Sequence, residues 1–93
     1  MNLKKLLETI SKTAEIPVSE ITGKSRKAEV AIPRHIFCYI ASEKGIAKDK
    51  IGAVINRNRA TVRGSCIVVV NCLQTRDKLY SELVNRILNN INY

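Results

Sequence analysis

The chain has 93 residues and a net charge of +8, from 16 Lys and Arg against 8 Asp and Glu, which favours association with a polyanion. This length predicts a single domain over residues 1–93, and 45% hydrophobic but 4% aromatic residues suit a helical unit of Ile, Val, Leu and Ala. Neither a membrane-spanning run of ~18 to 20 apolar residues nor a signal peptide is visible, so we expect a cytoplasmic protein without a membrane partner.

Helical periodicity begins at the N-terminus. Apolar residues recur every three or four positions from Leu3 to Ala14, which predicts a first helix over about 2–14. Pro17 ends or follows this helix, and residues 18–21 are expected to form one short turn that packs Val18 and Ile21 inward. A basic loop over residues 23–27 follows this turn and is the first candidate contact surface.

A longer helix is expected after the basic loop. Its apolar residues stand at helical spacing: Val30, Phe37, Ile40 and Ala41. Glu43-Lys44-Gly45 predicts its end, whereas Pro33 leaves its start between about 29 and 32. His35 on this helix is either an ordinary surface residue or a neighbour of a bound phosphate.

The three cysteines, Cys38, Cys66 and Cys72, are predicted to be buried free thiols. They are odd in number, lack a Cys-x-x-Cys pair and occupy apolar positions. His35 lies one turn from Cys38, but nothing else of ligand type lies near it, so we expect no metal.

The next two helices form a helix-turn-helix pattern. The first is short and amphipathic, with Ile46, Ile51, Val54 and Ile55 apolar. The second begins after Asn58, whose side chain is suited to accept from the backbone N–H of Ala60 or Thr61 as an N-cap. Because a helix N-terminus favours anions, and arginines flank this one, it is where we expect contact with DNA.

The C-terminal part of the chain is also predicted to be helical. The second helix of the pair continues with Val62, Cys66, Val69 and Leu73 on one face, and a final helix from about Asp77 uses Leu79, Leu83, Ile87 and Ile91. Three apolar residues, Ile67, Val68 and Val70, do not all fit that face. They predict either extensive packing on the last helix or a self-association surface that forms a homodimer.

Four blocks of this chain resemble the C-terminal duplex-DNA-binding domain of the bacterial replication initiator DnaA. The family pattern is Lys-x-Arg, Val-x-x-Pro-Arg, Ile-Gly and the signature Gly-Arg-Asp-His-Thr-Thr-Val. In the same order and at similar spacing, the chain has Lys24-Ser25-Arg26, Val30-Ala31-Ile32-Pro33-Arg34, Ile51-Gly52 and Arg57-Asn58-Arg59-Ala60-Thr61-Val62. The resemblance covers about residues 7–93. It implies an all-α, Trp-repressor-like helical bundle that contains a helix-turn-helix.

The signature departs from the family pattern at three positions. Asn58 replaces Asp, Arg59 replaces His and Ala60 replaces the first Thr. A guanidinium can bond both O6 and N7 of guanine, which the family's histidine cannot do, so Arg59 is the strongest candidate for base recognition. We therefore expect the groove geometry to be kept and the recognised bases to differ.

The resemblance also implies DNA-contacting roles for individual residues. Base edges in the major groove are assigned to Asn58, Arg59, Ala60, Thr61 and Arg63. Arg26 matches the family arginine that enters the minor groove, where A·T-rich segments concentrate negative potential. Phosphate contacts are assigned to Lys24, Lys27, Arg34 and Arg57.

Other classes of function fit the sequence poorly. Gly23-Lys24-Ser25 looks like the end of a nucleotide-binding loop, but the first glycine of that motif would fall at Val18 and no strand precedes it. The chain offers no carboxylate pair and no nucleophile with a base, so we expect neither an enzyme nor a cofactor.

We expect a stand-alone, sequence-preferring binder of double-stranded DNA, without the initiator's ATP-driven module, in replication-initiation control or transcription regulation. The alternative is an interaction module that binds an acidic protein through its basic face.

Overall fold

The computed structural model of the protein describes residues 2–91, which form six helices. In chain order these are α1 (Leu3–Ala14), α2 (Val18–Ile21), α3 (Ala28–Glu43), α4 (Lys48–Ile55), α5 (Arg59–Gln74) and α6 (Lys78–Asn90). Residues 2–91 contain no strand. The predicted all-α bundle with a helix-turn-helix, formed here by α4 and α5, is therefore confirmed.

Side-chain and backbone caps determine where α1 begins and ends. The Asn2 Oδ1 atom accepts hydrogen bonds from the backbone N–H groups of Lys4, at 2.9 Å, and Lys5, at 3.2 Å. At the other end Glu15 adopts a left-handed conformation, with φ 58°, and its N–H donates to the Ser11 carbonyl. The first predicted helix is confirmed, with Asn2 as its cap.

Helix α3 forms the centre of the bundle and packs against every other helix. It begins at Ala28, one residue before the predicted range, and continues through Pro33. Proline has no N–H to offer the carbonyl of Glu29, but Glu29 is exposed, so water can satisfy that carbonyl. The predicted end is confirmed at Glu43, and Gly45 follows with a φ of 84°.

A single cluster of buried apolar side chains joins the helices. Phe37 of α3 and Ile10 of α1 are fully buried, and Val62 and Val69 anchor α5 to the same cluster. Burial of each such side chain contributes about 1.5–3 kcal/mol. The first turn of α5 is therefore attached to a packed core rather than to a loose peptide.

Helix α6 packs the predicted residues Leu83, Ile87 and Ile91 in or against the core, but not Leu79. Val84 and Ile87 are buried, and Tyr80 and Leu83 pack against the core, whereas Leu79 is 67% exposed. The prediction of a core position for Leu79 was wrong. Apolar residues at 79, 80, 83, 84, 87, 88 and 91 cover a wide arc of the helix, and contact with α1, α3 and α5 determines which of them are buried.

The apolar segment after the first turns of α5 stays at the surface. Ile67, Val68 and Val70 are 49%, 38% and 37% exposed. The prediction that these side chains pack extensively on the last helix is therefore wrong. Self-association through them stays a prediction.

The three cysteines differ in their surroundings. Cys38 is fully buried, and burial, with a smaller effect of Cys66, raises the pKa of its thiol to about 12. Cys66 and Cys72 are only partly buried, which corrects the expectation that all three are buried. Within residues 2–91, no group of three or more His, Cys, Asp and Glu side chains could hold a metal ion. No helix in this range is long and apolar enough to cross a membrane.

Candidate nucleic-acid interface

The turn between α4 and α5 spans residues 56–58 and requires a glycine at position 52. The N–H groups of Asn56 and Arg57 both donate to the Gly52 carbonyl, the latter at 2.9 Å. A Cβ atom on Gly52 would overlap the carbonyl oxygen of Arg57 and lie 3.4 Å from Val62 Cγ2. The Ile-Gly block thus has a physical reason, because only glycine permits this approach of the turn and α5 to α4.

The N-terminus of α5 is capped by its preceding residue. Asn58 Oδ1 accepts a hydrogen bond of 2.8 Å from the Thr61 backbone N–H, which confirms the predicted cap and identifies its donor. The N–H groups of Arg59 and Ala60 have no intrahelical acceptor in such a geometry. The helix therefore presents backbone donors and the positive end of its dipole at one exposed place.

A surface groove runs along the exposed side of α5. It is lined by Lys48, Arg59, Ala60, Arg63, Gly64 and Ile67. Arg59, Ala60, Thr61 and Arg63 are all exposed. Among the described residues, the side chains of Arg59 and Arg63 have neither a hydrogen-bond nor an ion-pair partner. Their guanidinium groups are therefore available to a ligand.

Lys48 is a candidate site residue that sequence analysis missed. It is the first residue of α4, and its Nζ donates to the Ser42 hydroxyl at 3.3 Å while its side chain lines the groove of α5. The signal that could have identified it was its position at the start of the first helix of the pair, which packs against the second. In the sequence, Lys48 is simply one polar residue of that amphipathic helix.

The basic loop lies directly beside the helix-turn-helix. Lys24, Arg26 and Lys27 are exposed in this loop. Asn56 Nδ2 donates to the Thr22 carbonyl at 3.2 Å across 34 positions of sequence. The structure thus brings together the two segments whose side chains were predicted to contact DNA.

Arg34 requires a correction, because it lies inside the protein rather than on its surface. It is 6% exposed. Its guanidinium donates to four backbone carbonyls, those of Ile21 at 2.7 Å, Ser25 at 3.0 Å, Glu20 at 3.2 Å and Gly23 at 3.4 Å. These bonds commit the side chain to the protein itself, so Arg34 supports the basic loop instead of holding a phosphate.

Arg57 is also turned toward the protein. Its Nη2 donates to the Gly23 carbonyl at 2.6 Å, and its Nη1 donates to the carbonyls of Ile55, at 3.0 Å, and Asn56, at 3.3 Å. These bonds connect the turn to the basic loop, and a phosphate contact of the partly exposed Arg57 stays a prediction. The guanidinium groups of Arg34 and Arg57 both donate to the Gly23 carbonyl and therefore lie close together under the loop. Burial, and then the charge of Arg57, lower the pKa of Arg34.

His35 is not the ordinary surface residue of one prediction, and its other predicted role, as a neighbour of a bound phosphate, stays a prediction. It is partly buried between α3 and α6, its Nδ1 lies 3.0 Å from the Tyr80 hydroxyl, and the two rings stack with centroids 6.4 Å apart. Burial, and then the charge of Arg34, lower its pKa. Phe37 lies in the core, as its helical spacing predicted, and Tyr39 and Tyr80 are partly buried against the core.

The capped helix N-terminus, the exposed arginines and the adjacent basic loop agree with the result of a family comparison. Residues 3–69 match the family described as bacterial dnaA protein helix-turn-helix, which is more than two-thirds of the chain. The match includes the basic loop, α4, the turn and the first part of α5. The chain therefore belongs to the bacterial DnaA helix-turn-helix family, a family of binding modules, and binds DNA through its helix-turn-helix.

Proposed function

We propose that the protein prefers particular double-stranded DNA sequences, which it reads with α5 in the major groove and the basic loop at the minor groove. The proposal depends mainly on one observation: two exposed sets of basic residues, one on α5 and one on the basic loop, lie next to each other. Arg59 and Arg63 flank a capped helix N-terminus, and the loop that carries Arg26 is bonded to the turn before that helix. Such an arrangement suits two neighbouring grooves of one duplex.

In this proposal the first turns of α5 distinguish bases. Arg59 forms a bidentate pair with guanine, and the methyl group of Ala60 contacts thymine. Asn58, Thr61 and Arg63 contact base edges or adjacent phosphates. All five of these residues are exposed, which supports their proposed contacts with DNA.

The basic loop contributes a preference for shape and charge. Arg26 enters a narrow, A·T-rich minor groove, where negative potential is greatest. Lys24 and Lys27 bind phosphates, and Lys48 joins them from the start of α4. All of these except Lys48 are exposed, and Lys48 is partly so.

The process served is proposed to be control of replication initiation, or of transcription, on cytoplasmic DNA. What supports it is membership of a family named for the initiator. The changed signature residues, Asn58, Arg59 and Ala60, support a target sequence that differs from that of the family pattern.

The test is a selection of bound duplexes from a random pool, followed by anisotropy titrations at several salt concentrations. We expect one short motif with an A·T-rich flank. Arg59→Ala should remove discrimination at one guanine, at a cost of about 1–3 kcal/mol, and Arg26→Ala should remove only the flank preference. A protein that yields no motif and whose affinity follows salt alone would contradict the proposal.

A control for this experiment is Lys78→Ala. Lys78 is exposed at the start of α6, beyond the C-terminal end of the 16-residue helix α5. At 1.5 Å per residue, roughly 24 Å of helix separates it from Arg59. Its removal should leave the selected motif unchanged.

The alternative partner is an acidic protein bound on the same basic face. A competition experiment between an unlabelled selected duplex and an acidic peptide compares the two, since one cationic surface cannot hold both ligands at once. If an acidic peptide displaces DNA but no duplex sequence is preferred, the protein-binding alternative is supported.

Self-association through Ile67, Val68 and Val70 is a separate proposal, supported by their exposure. A strict monomer in sedimentation at high protein concentration would exclude it. Ile67 also lines the groove beside Arg63, so a dimer that covers Ile67 should compete with DNA.

A further inference from the structure

The basic loop is held both by local bonds and by side chains from other parts of the chain. Together with Thr22, which precedes it, the loop belongs to no helix or strand. Local bonds tie its two ends to the flanking helices: Thr22 and Gly23 donate to carbonyls of α2, and the Lys27 carbonyl accepts from the N–H groups of Val30 and Ala31. Between these ends, Lys27 N–H donates to the Ser25 hydroxyl, and three side chains from elsewhere in the chain donate to carbonyls of the segment.

These side chains approach the loop from two directions. Arg34 of α3 donates to carbonyls from Glu20 to Ser25 on the inner side. Asn56 and Arg57, in the turn before α5, donate to the adjacent carbonyls of Thr22 and Gly23. The turn that starts the recognition helix therefore also holds the loop that presents Arg26.

We propose that Arg57 and Asn56 are positioning residues, which fix the placement of Arg26 relative to Arg59 so that both reach one duplex together. This inference rests on the proposed function and deepens it. Neither residue needs to touch DNA for this role.

The physical basis of this role is preorganisation. A loop that is already in place loses little freedom when its arginine enters a groove, whereas a loose loop must be ordered by the binding itself. Two contacts on one rigid surface also reinforce each other, since the first raises the effective concentration of the second. Loss of the connection should therefore weaken binding through Arg26.

Arg57→Lys separates positioning from simple charge. Lysine keeps the positive charge but, as a single ammonium group, cannot span the carbonyls of Gly23, Ile55 and Asn56. We expect about tenfold weaker binding to a duplex with an A·T flank and a reduced flank preference. Full affinity in Arg57→Lys would overturn the inference, because it would assign Arg57 a charge role only.

The double variant Arg26→Ala/Arg57→Lys identifies the route of the effect. If Arg57 acts through Arg26, its substitution should cost about twofold or less once Arg26 is gone. Equal losses in both backgrounds would show an independent contact and overturn the inference. Arg76→Lys, at the far end of α5, is the matched control and should bind as the parent does.

Asn56→Gly tests the same connection without a change of charge. Glycine tolerates the φ of 57° at this position and removes only the amide that donates to Thr22. We expect weaker flank preference with an unchanged salt dependence of binding. An unchanged flank preference in Asn56→Gly, with the parent preferring A·T, would count against the inference.

A measurement on the free protein keeps this test separate from the DNA-binding proposal. Backbone ¹⁵N order parameters of residues 23–27 should fall in Arg57→Lys and in Asn56→Gly, while those of α3 stay unchanged. If the parent shows no sequence or flank preference, the proposed function fails. If the loop stays equally ordered in both variants, the positioning inference fails.

Discussion

At the scale of single residues, the N-cap of α5 differs from the family pattern in a way that separates folding stability from DNA affinity. Asn58 and the family's aspartate both carry an oxygen that can accept from the Thr61 N–H, a bond of 2.8 Å here. They differ in charge. Stability and DNA affinity should therefore respond differently when Asn58 is exchanged.

Asn58→Ala should destabilise the protein by about 1 kcal/mol, because it removes the cap. The melting temperature followed by circular dichroism should drop by about 4–8 °C for a domain of this size. Asn58→Asp is the matched variant, since it keeps the acceptor and adds a favourable charge at the helix N-terminus.

The aspartate variant should bind DNA about two- to fivefold more weakly while it melts no earlier than the parent. Repulsion between the carboxylate and nearby phosphates is the cause. Equal affinity of the two proteins would show that no phosphate approaches this cap.

The contrast between Asn58 and Arg34 shows what sequence reasoning could reach. The cap was predictable because its partner, Thr61, lies three positions away. Arg34 was assigned to the surface, yet its acceptors lie 9 to 14 positions away, in a loop whose path no local pattern defines. A long side chain in a basic cluster looks the same in sequence whether it faces solvent or backbone carbonyls.

At the scale of elements, the geometry of the helix-turn-helix depends on Gly52. Gly52→Ala should lower the free energy of unfolding by about 1–3 kcal/mol, because the new Cβ overlaps the Arg57 carbonyl. Urea unfolding measures this change. The displaced turn should also loosen the basic loop, which is bonded to Arg57.

Gly64→Ala provides the control within α5. A Cβ atom at position 64 meets no atom within 4 Å. Helix propensity then predicts a stabilisation of about 0.5–1 kcal/mol. Gly52→Ala should thus lower the free energy of unfolding, whereas Gly64→Ala should raise it. If both substitutions changed it in the same direction, the close approach of the Arg57 carbonyl to Gly52 would not explain the need for glycine.

Most elements could be predicted from apolar periodicity and caps, but the exposure of Leu79 in α6 could not. The helix has apolar residues over a wide arc, and Leu79 lies outside the part of that arc that packs on the core. Which residues are buried depends on the surfaces of α1, α3 and α5 that α6 meets, which are contacts between distant segments. Periodicity identifies that a helix is amphipathic, whereas tertiary packing determines which part of its apolar arc is buried.

At the scale of the whole molecule, the contact of His35 with Tyr80 joins α6, which lies beyond the family match, to the central helix α3. Burial is the main cause that lowers the pKa of His35 below its ordinary value of 6.5, and the charge of Arg34 adds to it. The folded protein therefore binds this proton less readily than the unfolded chain does.

The free energy of unfolding should be unaffected by this group well above pH 6.5 and should fall as the pH drops through that value. Thermal unfolding between pH 7.5 and 5.5 tests this, because His35 is the only histidine. His35→Gln should flatten the profile. Tyr80→Phe should keep the pH dependence, since burial rather than the hydroxyl is its main cause.

The support of the basic loop has a consequence for how its specificity can change. All the bonds from Arg34, Asn56 and Arg57 end on main-chain carbonyls, which every amino acid supplies. The side chains at 24, 26 and 27 can therefore be exchanged without disturbing the support beneath them. Two loop positions are exceptions: a Cβ at Gly23 would lie 2.9 Å from the Ser19 carbonyl oxygen, and the Ser25 hydroxyl accepts from the Lys27 N–H. Substitutions at positions 24, 26 and 27 can therefore change the groove preference of the loop with little loss of folding stability.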